Sequence, residues 1–164
     1  MMAFKVGDRA VYPAHGVGVV KRIESRKVGG LPVDFYVLQI LSSGASLMIP
    51  AANVEQHGMR GLVSDDEIGR IYQILRSPAR PANTTWNRRF REFNDKLRSG
   101  SILDVAEVLR DLCALRGDKD LSYGEKKMLD KSLSMLAAEI SEVTGAPASQ
   151  VETQLMDMLD SDLV

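Results

Sequence analysis

The sequence has little of what enzymes and metalloproteins use for chemistry. Its 164 residues include one cysteine, Cys113, and two histidines, His15 and His57. Neither histidine has a second histidine or a cysteine at metal-ligand spacing, and there is no phosphate-binding loop or nucleophile elbow. His15 falls in a predicted turn, and Cys113 falls on an apolar helix face, where a small buried hydrophobe is expected. We therefore predict no enzyme, no catalytic residue, no metal and no cofactor; an enzyme using both histidines would require them to meet in the fold.

The chain also lacks disulfide pairs and long apolar runs. A single cysteine cannot form an internal disulfide, which is typical of a reducing cytosol. No apolar run approaches the roughly 18 residues that span a bilayer, and residues 1–8 lack the apolar core of a secretory signal. We expect a cytoplasmic protein with no membrane partner.

Charge is distributed unevenly along the sequence. The net charge is −1, but residues 76–100 carry 7 basic residues against 2 acidic ones, a net of +5. Residues 1–75 carry 8 against 7, and residues 101–164 carry 6 against 13. A basic segment inside a neutral-to-acidic chain indicates one anionic contact surface. This favours a local contact with nucleic acid, although a basic helix that docks on an acidic protein is also open.

The first sixty residues have the pattern of short β-strands. Residues 17–28 are rich in β-branched side chains, and residues 32–41 return after Gly29-Gly30, where two glycines permit positive φ at both central positions of a hairpin turn. Residues 46–50 close the meander, and glycines at 16 and 18 would permit sharp bending. The pattern predicts a compact, strongly bent barrel or sandwich.

After residue 62 the apolar period becomes helical. Capping-box patterns predict three helix starts, at Ser64-x-x-Glu67, Ser122-x-x-Glu125 and Ser149-x-x-Glu152. Two prolines within residues 77–83 cannot continue a helix. We therefore expect three parts: a β-module over 1–62, a helix and proline-marked connector over 63–83, and a four-helix all-α bundle over 84–164. The fold class is α+β.

The basic segment contains the only tryptophan, Trp86, in a predicted helix that Thr84 or Thr85 would cap and that Ser99-Gly100 would end. At 100° per residue, one narrow stripe contains Trp86, Phe90, Phe93 and Leu97. One interpretation is an ordinary amphipathic helix with the stripe in the core. The other is that the arginines meet phosphate and that Trp86, in the first turn, faces outward.

Several segments of the sequence resemble the CarD/CdnL family of bacterial transcription regulators, in its short CdnL type without a long acidic tail. They are Phe4–Gly16, Met48–Pro50, Thr85–Arg91, Val105–Leu112 and Leu121–Leu129. The resemblance runs from about residue 4 to the C-terminus with compatible spacing.

The resemblance implies a function for each part. The N-terminal part would be a Tudor-like, SH3-like β-barrel that binds the RNA polymerase β subunit. Its polymerase-facing residues would be Arg26, Met48, Ile49 and Pro50. Some members have arginine at the position of Met48, so an apolar contact is expected there instead of an ionic one.

The helical part would contact promoter DNA at the upstream edge of the transcription bubble, with Trp86 as a wedge and Arg88, Arg89 and Arg91 on the DNA. The whole would be a regulator that stabilises the open promoter complex, monomeric and associated with the nucleoid through polymerase. Its DNA binding alone would be weak. The alternative is a protein–protein adaptor without DNA binding, whose basic helix docks on an acidic partner.

Overall fold

The computed structural model describes residues 4–13, 15–54, 56–79, 85–116 and 121–161. The chain forms two compact units, residues 1–62 and residues 63–164. The first is built from antiparallel strands and the second from helices. This confirms the predicted α+β fold class, with a small β part followed by an all-α part.

The β-unit is one five-stranded antiparallel sheet. Its strands are β1 (Arg9–Tyr12), β2 (Gly16–Val28), β3 (Leu31–Ile40), β4 (Ser46–Pro50) and β5 (Arg60–Gly61). A 3-10 turn spans Ala51–Asn53. The strand order is β4-β3-β2-β1-β5, so β4 lies at one end of the sheet. Buried side chains between the strands form the core of this unit, including Val20, Tyr36, Leu38, Ile40 and Ile49.

Two glycine positions shape this sheet. The hairpin turn between β2 and β3 uses Gly29 and Gly30, with φ of 61° and 84°, as the sequence predicts. Gly18 lies so close to β3 that a Cβ there would be 2.7 Å from Leu38 Cγ and 2.9 Å from the carbonyl oxygen of Gln39. Only glycine permits this approach of the two backbones. The register of β2 on β3 shifts between Val20 and Arg22, which is a β-bulge.

The described residues of the helical unit form five helices: α1 (Asp65–Arg76), α2 (Trp86–Arg98), α3 (Ile102–Arg116), α4 (Tyr123–Thr144) and α5 (Ala148–Ser161). The capping boxes at Ser64 and Ser122 are both present. The third is wrong, because α5 begins at Ala148 and Ser149 already lies inside its first turn. Pro147 starts this helix instead, accepting a hydrogen bond from Val151 N–H at 3.1 Å.

The core of the helical unit lies between α1, α3, α4 and α5. Its centre contains Leu109 and Leu112 of α3, Leu136 and Ile140 of α4 and Leu155 of α5, each at most 1% exposed. The sequence grouped α1 with the connector over 63–83, but its apolar face packs on α3 and α5 within the helical unit. The residues between Ser77 and Asn83 that lie beyond Ala79 fall outside the described part of the chain.

A buried carboxylate fixes the first residue of the helical unit. Glu139 of α4 is 1% exposed, and its Oε2 accepts a hydrogen bond from Val63 N–H at 2.9 Å. The chain therefore enters the helical unit at a defined point, directly before the capping box that begins α1.

Candidate functional site

Helix α2 presents an aromatic pair on its surface. Trp86 and Phe90 are 37% and 38% exposed, and their ring centroids lie 5.2 Å apart at an angle of 54°. Phe93 and Leu97, one and two turns further along, are buried. The predicted apolar stripe therefore exists, but only its C-terminal half is core. Because α2 begins at Trp86, no preceding helical turn covers the indole.

The aromatic pair also lies against the start of α4. A Cβ on Gly124 would be 3.5 Å from Trp86 Cζ2 and 3.7 Å from Phe90 Cε2. These are ordinary van der Waals distances, so both rings lie close beside the first turn of α4. The indole is thus held on one side by protein and open to solvent on the other.

The three arginines predicted to meet DNA do not share one environment. Arg88 and Arg91 are exposed, and Arg88 makes a long i,i+4 ion pair with Glu92 at 3.5 Å. Arg89 points the other way, with its Nη2 4.0 Å from Oε2 of Glu125, and the two side chains are 23% and 11% exposed. Helical rotation explains the difference, since adjacent residues point 100° apart. Arg89 therefore joins α2 to α4, and Arg88 and Arg91 form the solvent-facing charge.

Lys96 has a similar internal role. Its Nζ donates a hydrogen bond to Oε2 of Glu107 at 2.8 Å, and both side chains are 24% exposed. This ion pair links α2 to α3. Thr85 occupies the N-cap position of α2 but makes no side-chain capping hydrogen bond, and Thr84 lies outside the described residues. Tertiary contacts of Arg89, Lys96 and the buried face hold α2 in place without that cap.

The pairing of the strands determines on which face of the sheet each predicted contact residue lies. Met48 of β4 lies opposite Val37 of β3, and Arg26 of β2 lies opposite Val33. Directly opposed residues share a face, and so do alternate residues of one strand. Arg26 and Met48 therefore lie on the same face of the sheet. Pro50, which is opposite Phe35, lies there too.

Ile49 does not belong to that surface. It is 2% exposed and packs in the core of the β-unit. Its neighbours Met48 and Pro50 point to the opposite face, and Met48 is 38% exposed. The side chain of Ile49 therefore maintains the fold, and any contact it makes with a partner would be through its backbone. Since β4 pairs with β3 alone among the described strands, its outer backbone edge is open to such pairing.

Arg26 is part of a short charge network along β2. Glu24 accepts a hydrogen bond from Arg22 at its Oε1, and Arg26 Nε donates to its Oε2 at 3.2 Å. The hydrogen bond from Arg22, and then the charges of both guanidinium groups, lower the pKa of Glu24 below its ordinary value of 4.5. The Arg26 side chain is still 60% exposed. It is oriented by Glu24 and remains accessible.

Sequence reasoning missed a third exposed aromatic residue. Tyr123 is 74% exposed, and Lys127 Nζ lies 4.7 Å from the centroid of its ring. The sequence contains a signal that could have found it. Ser122 is a strong N-cap residue, so the next residue is the first of the helix and has no preceding turn to pack on.

The remaining candidates for chemistry are the two histidines and the single cysteine. His15 lies 5.4 Å from the Tyr12 ring, and both histidines are exposed. Cys113 is 4% exposed, and burial raises the pKa of its thiol to about 11, so it is a poor nucleophile. Within the described residues, no group of three or more metal-binding side chains occurs, and no helix is long and apolar enough to cross a bilayer.

Known families match both units of the chain. Residues 4–63 match the CarD-like/TRCF RID domain, and residues 70–156 match the CarD C-terminal domain. A similar curated protein is YdeB of Bacillus subtilis (strain 168), a candidate transcription factor. It is 29% identical over 150 residues, which cover 92% of this chain and 98% of YdeB. The solved structure of CdnLNt from M. xanthus is 46% identical over 40% of this chain and 92% of its own, with a TM-score of 0.33.

Proposed function

The chain belongs to the CarD family of transcription regulators, and from this premise we propose that it binds RNA polymerase and stabilises the open promoter complex. Its β-unit binds the polymerase β subunit, and its helical unit contacts DNA at the upstream edge of the bubble. The observation that carries the proposal is the exposed Trp86–Phe90 pair beside exposed arginines on α2. A partly exposed indole next to cations suits a distorted base step flanked by phosphates.

The polymerase contact rests on the face formed by Arg26, Met48 and Pro50. An exposed methionine adapts to irregular apolar partner surfaces, and the open edge of β4 offers backbone hydrogen bonds to an added strand. Arg26 adds one cation that Glu24 holds in a defined orientation. This surface therefore combines an apolar contact, a strand edge and a positioned charge.

Binding to polymerase accounts for how a small basic surface can act on DNA. Arg88 and Arg91 neutralise few phosphates, so DNA binding by the free protein is weak and sensitive to salt. Tethering through the β-unit raises the local concentration of the helical unit near the promoter. The Trp86 ring then needs only to oppose re-stacking of one melted step, which is worth a few kcal/mol.

The test is the lifetime of open complexes on a promoter with purified polymerase and the full-length protein. Wild type should lengthen this lifetime, and Trp86→Ala should lengthen it less while retaining its affinity for polymerase and its salt dependence on duplex DNA. Phe93→Ala is the matched control, because it removes a buried ring of the same helix and should act through folding stability alone.

Two results would contradict the proposal. One is a wild-type protein that binds polymerase without changing open-complex lifetime. The other is a Trp86→Ala variant whose loss of effect follows only its loss of folded protein. Binding of α2 to an acidic protein with no retention on bubble-containing DNA would instead favour an adaptor.

A further inference from the structure

Three aromatic side chains are exposed near the starts of α2 and α4. Among the described residues of this unit, the large apolar side chains that are exposed are Trp86, Phe90 and Tyr123. The first two lie beside Gly124 in the first turn of α4. Tyr123 directly precedes Gly124 and is the first residue of that helix. Exposed apolar side chains that lie close together on a solvent-facing surface often mark a binding site, whereas single exposed ones do not.

The Tyr123 ring is held on one side only. Lys127, four residues along α4, places its ammonium 4.7 Å from the ring centroid. This cation–π contact occupies one face of the ring and limits its rotation. With 74% of the residue exposed, the opposite face is open to solvent. A ring with one face fixed and the other free is suited to stacking on a planar group.

The charges around the ring indicate which planar group it takes. Lys126 and Lys127 are exposed on the first turns of α4, and Arg88 and Arg91 are exposed on α2. A nucleotide offers both a flat base for the ring and a phosphate for the cations. Bases inside a duplex already have both faces covered by their neighbours. The fitting ligand is therefore an unpaired nucleotide.

We propose that Tyr123, backed by Lys127, stacks on an unpaired base of the melted promoter, as a second aromatic contact next to Trp86. This inference rests on the proposed function, because melted DNA reaches the surface only in the polymerase complex. It adds a separate contact: Trp86 opposes closure of the bubble, and Tyr123 captures a base that has already left the duplex.

The experiment uses the full-length protein with polymerase on a promoter that carries a mismatched bubble. 5-Iodouracil, placed in turn at each thymine position around the upstream edge, crosslinks under ultraviolet light to rings stacked on it. We expect a crosslink that maps to Tyr123 from one unpaired position, and none from the paired positions beside it. A crosslink confined to paired positions, or the absence of any at Tyr123, would overturn the inference.

Substitutions at one position test stacking against simple apolar contact. Base–aromatic stacking is worth about 1–3 kcal/mol, so Tyr123→Ala should shorten open-complex lifetime by about 5-fold to 150-fold. Tyr123→Phe retains the ring and should keep the wild-type lifetime, whereas Tyr123→Leu retains apolar bulk and should resemble Tyr123→Ala. All three should melt at the wild-type temperature, because the residue is exposed. Equal lifetimes for the Leu and Phe variants would overturn stacking.

Failure of this inference is distinguishable from failure of the proposed function. If wild type stabilises open complexes, Trp86→Ala does not, and Tyr123→Ala does so fully, only the role of Tyr123 is overturned. If wild type has no effect on lifetime, the proposed function fails and this inference fails with it. If Tyr123→Ala weakens binding to polymerase in the absence of DNA, the residue contacts protein and the inference is overturned.

Discussion

The arginines of α2 give the sharpest test, because Arg91 faces solvent whereas Arg89 faces another helix. Arg91 is exposed, so Arg91→Ala should leave folding unchanged and remove one phosphate contact. The slope of log K for DNA binding against log salt concentration should become shallower by about 0.9. Arg89 faces Glu125, with only 23% and 11% of the two side chains exposed. Arg89→Ala should leave that slope unchanged.

The cost of losing Arg89 should appear in stability. Removing one partner of a fully buried ion pair costs about 3–5 kcal/mol, and this pair is partly exposed and long, so about 1–3 kcal/mol is expected. For a unit of this size, each kcal/mol lowers Tm by about 4–8 °C. Arg89→Lys should recover little, since an ammonium cannot reproduce the planar guanidinium.

The assay combines thermal melting with fluorescence anisotropy on labelled duplex DNA at several salt concentrations. Arg70→Ala, at an exposed position of α1, controls for the loss of one positive charge elsewhere in the helical unit. The reasoning is refuted if Arg89→Ala melts like wild type and lowers the salt slope as much as Arg91→Ala does. In that case the side chain leaves Glu125 to meet phosphate.

Three further predictions concern the rest of the chain. Met48→Ala should weaken polymerase binding while changing the free energy of unfolding by about 0.5 kcal/mol or less, whereas Ile49→Ala, at the adjacent core position, should lower that free energy by about 2–5 kcal/mol. Urea unfolding and polymerase affinity measured on both variants check this, and equal stabilities would contradict it. Because the pKa of Glu24 is lowered in the folded chain, its ion pairs stabilise the hairpin at neutral pH, and this contribution is lost as the pH falls below 4.5 through the folded pKa. An NMR titration that follows the carboxyl carbon of Glu24 should find a higher pKa in Arg22→Ala than in wild type, and an unchanged midpoint would argue against the network. Glu139→Ala leaves the buried Val63 N–H without this acceptor and should destabilise the helical unit by about 1–3 kcal/mol, measured by thermal melting; wild-type melting would show that the hydrogen bond contributes nothing.

Local patterns in the sequence determined the elements of this fold. The double glycine specified the β2–β3 turn because both residues must adopt positive φ. The serines at 64 and 122 specified helix starts because their hydroxyls satisfy backbone N–H groups three residues on. The same logic erred at Ser149, because α5 follows Pro147 and so begins two residues earlier than a cap at Ser149 predicts. Each of these outcomes depends on interactions within a few residues.

Tertiary structure decided which members of each pattern are available for function. Helical periodicity placed Trp86, Phe90, Phe93 and Leu97 on one stripe, but it does not determine how much of that stripe is covered by a neighbouring helix. Trp86 and Phe90 lie beside Gly124 of α4 and stay partly exposed, whereas Phe93 and Leu97 are buried in the core of the helical unit. Burial depends on residues distant in sequence, so no local rule contains it.

The separation of Arg89 from Arg88 and Arg91 has the same origin. All three are arginines of one basic run, and sequence alone gave them one role. Only the approach of Glu125, 36 positions later in the chain, distinguishes a cation that joins two helices from cations that face solvent. Charge composition therefore determined that the protein has a basic surface, and the packing of α2 on α4 determined which charges that surface contains.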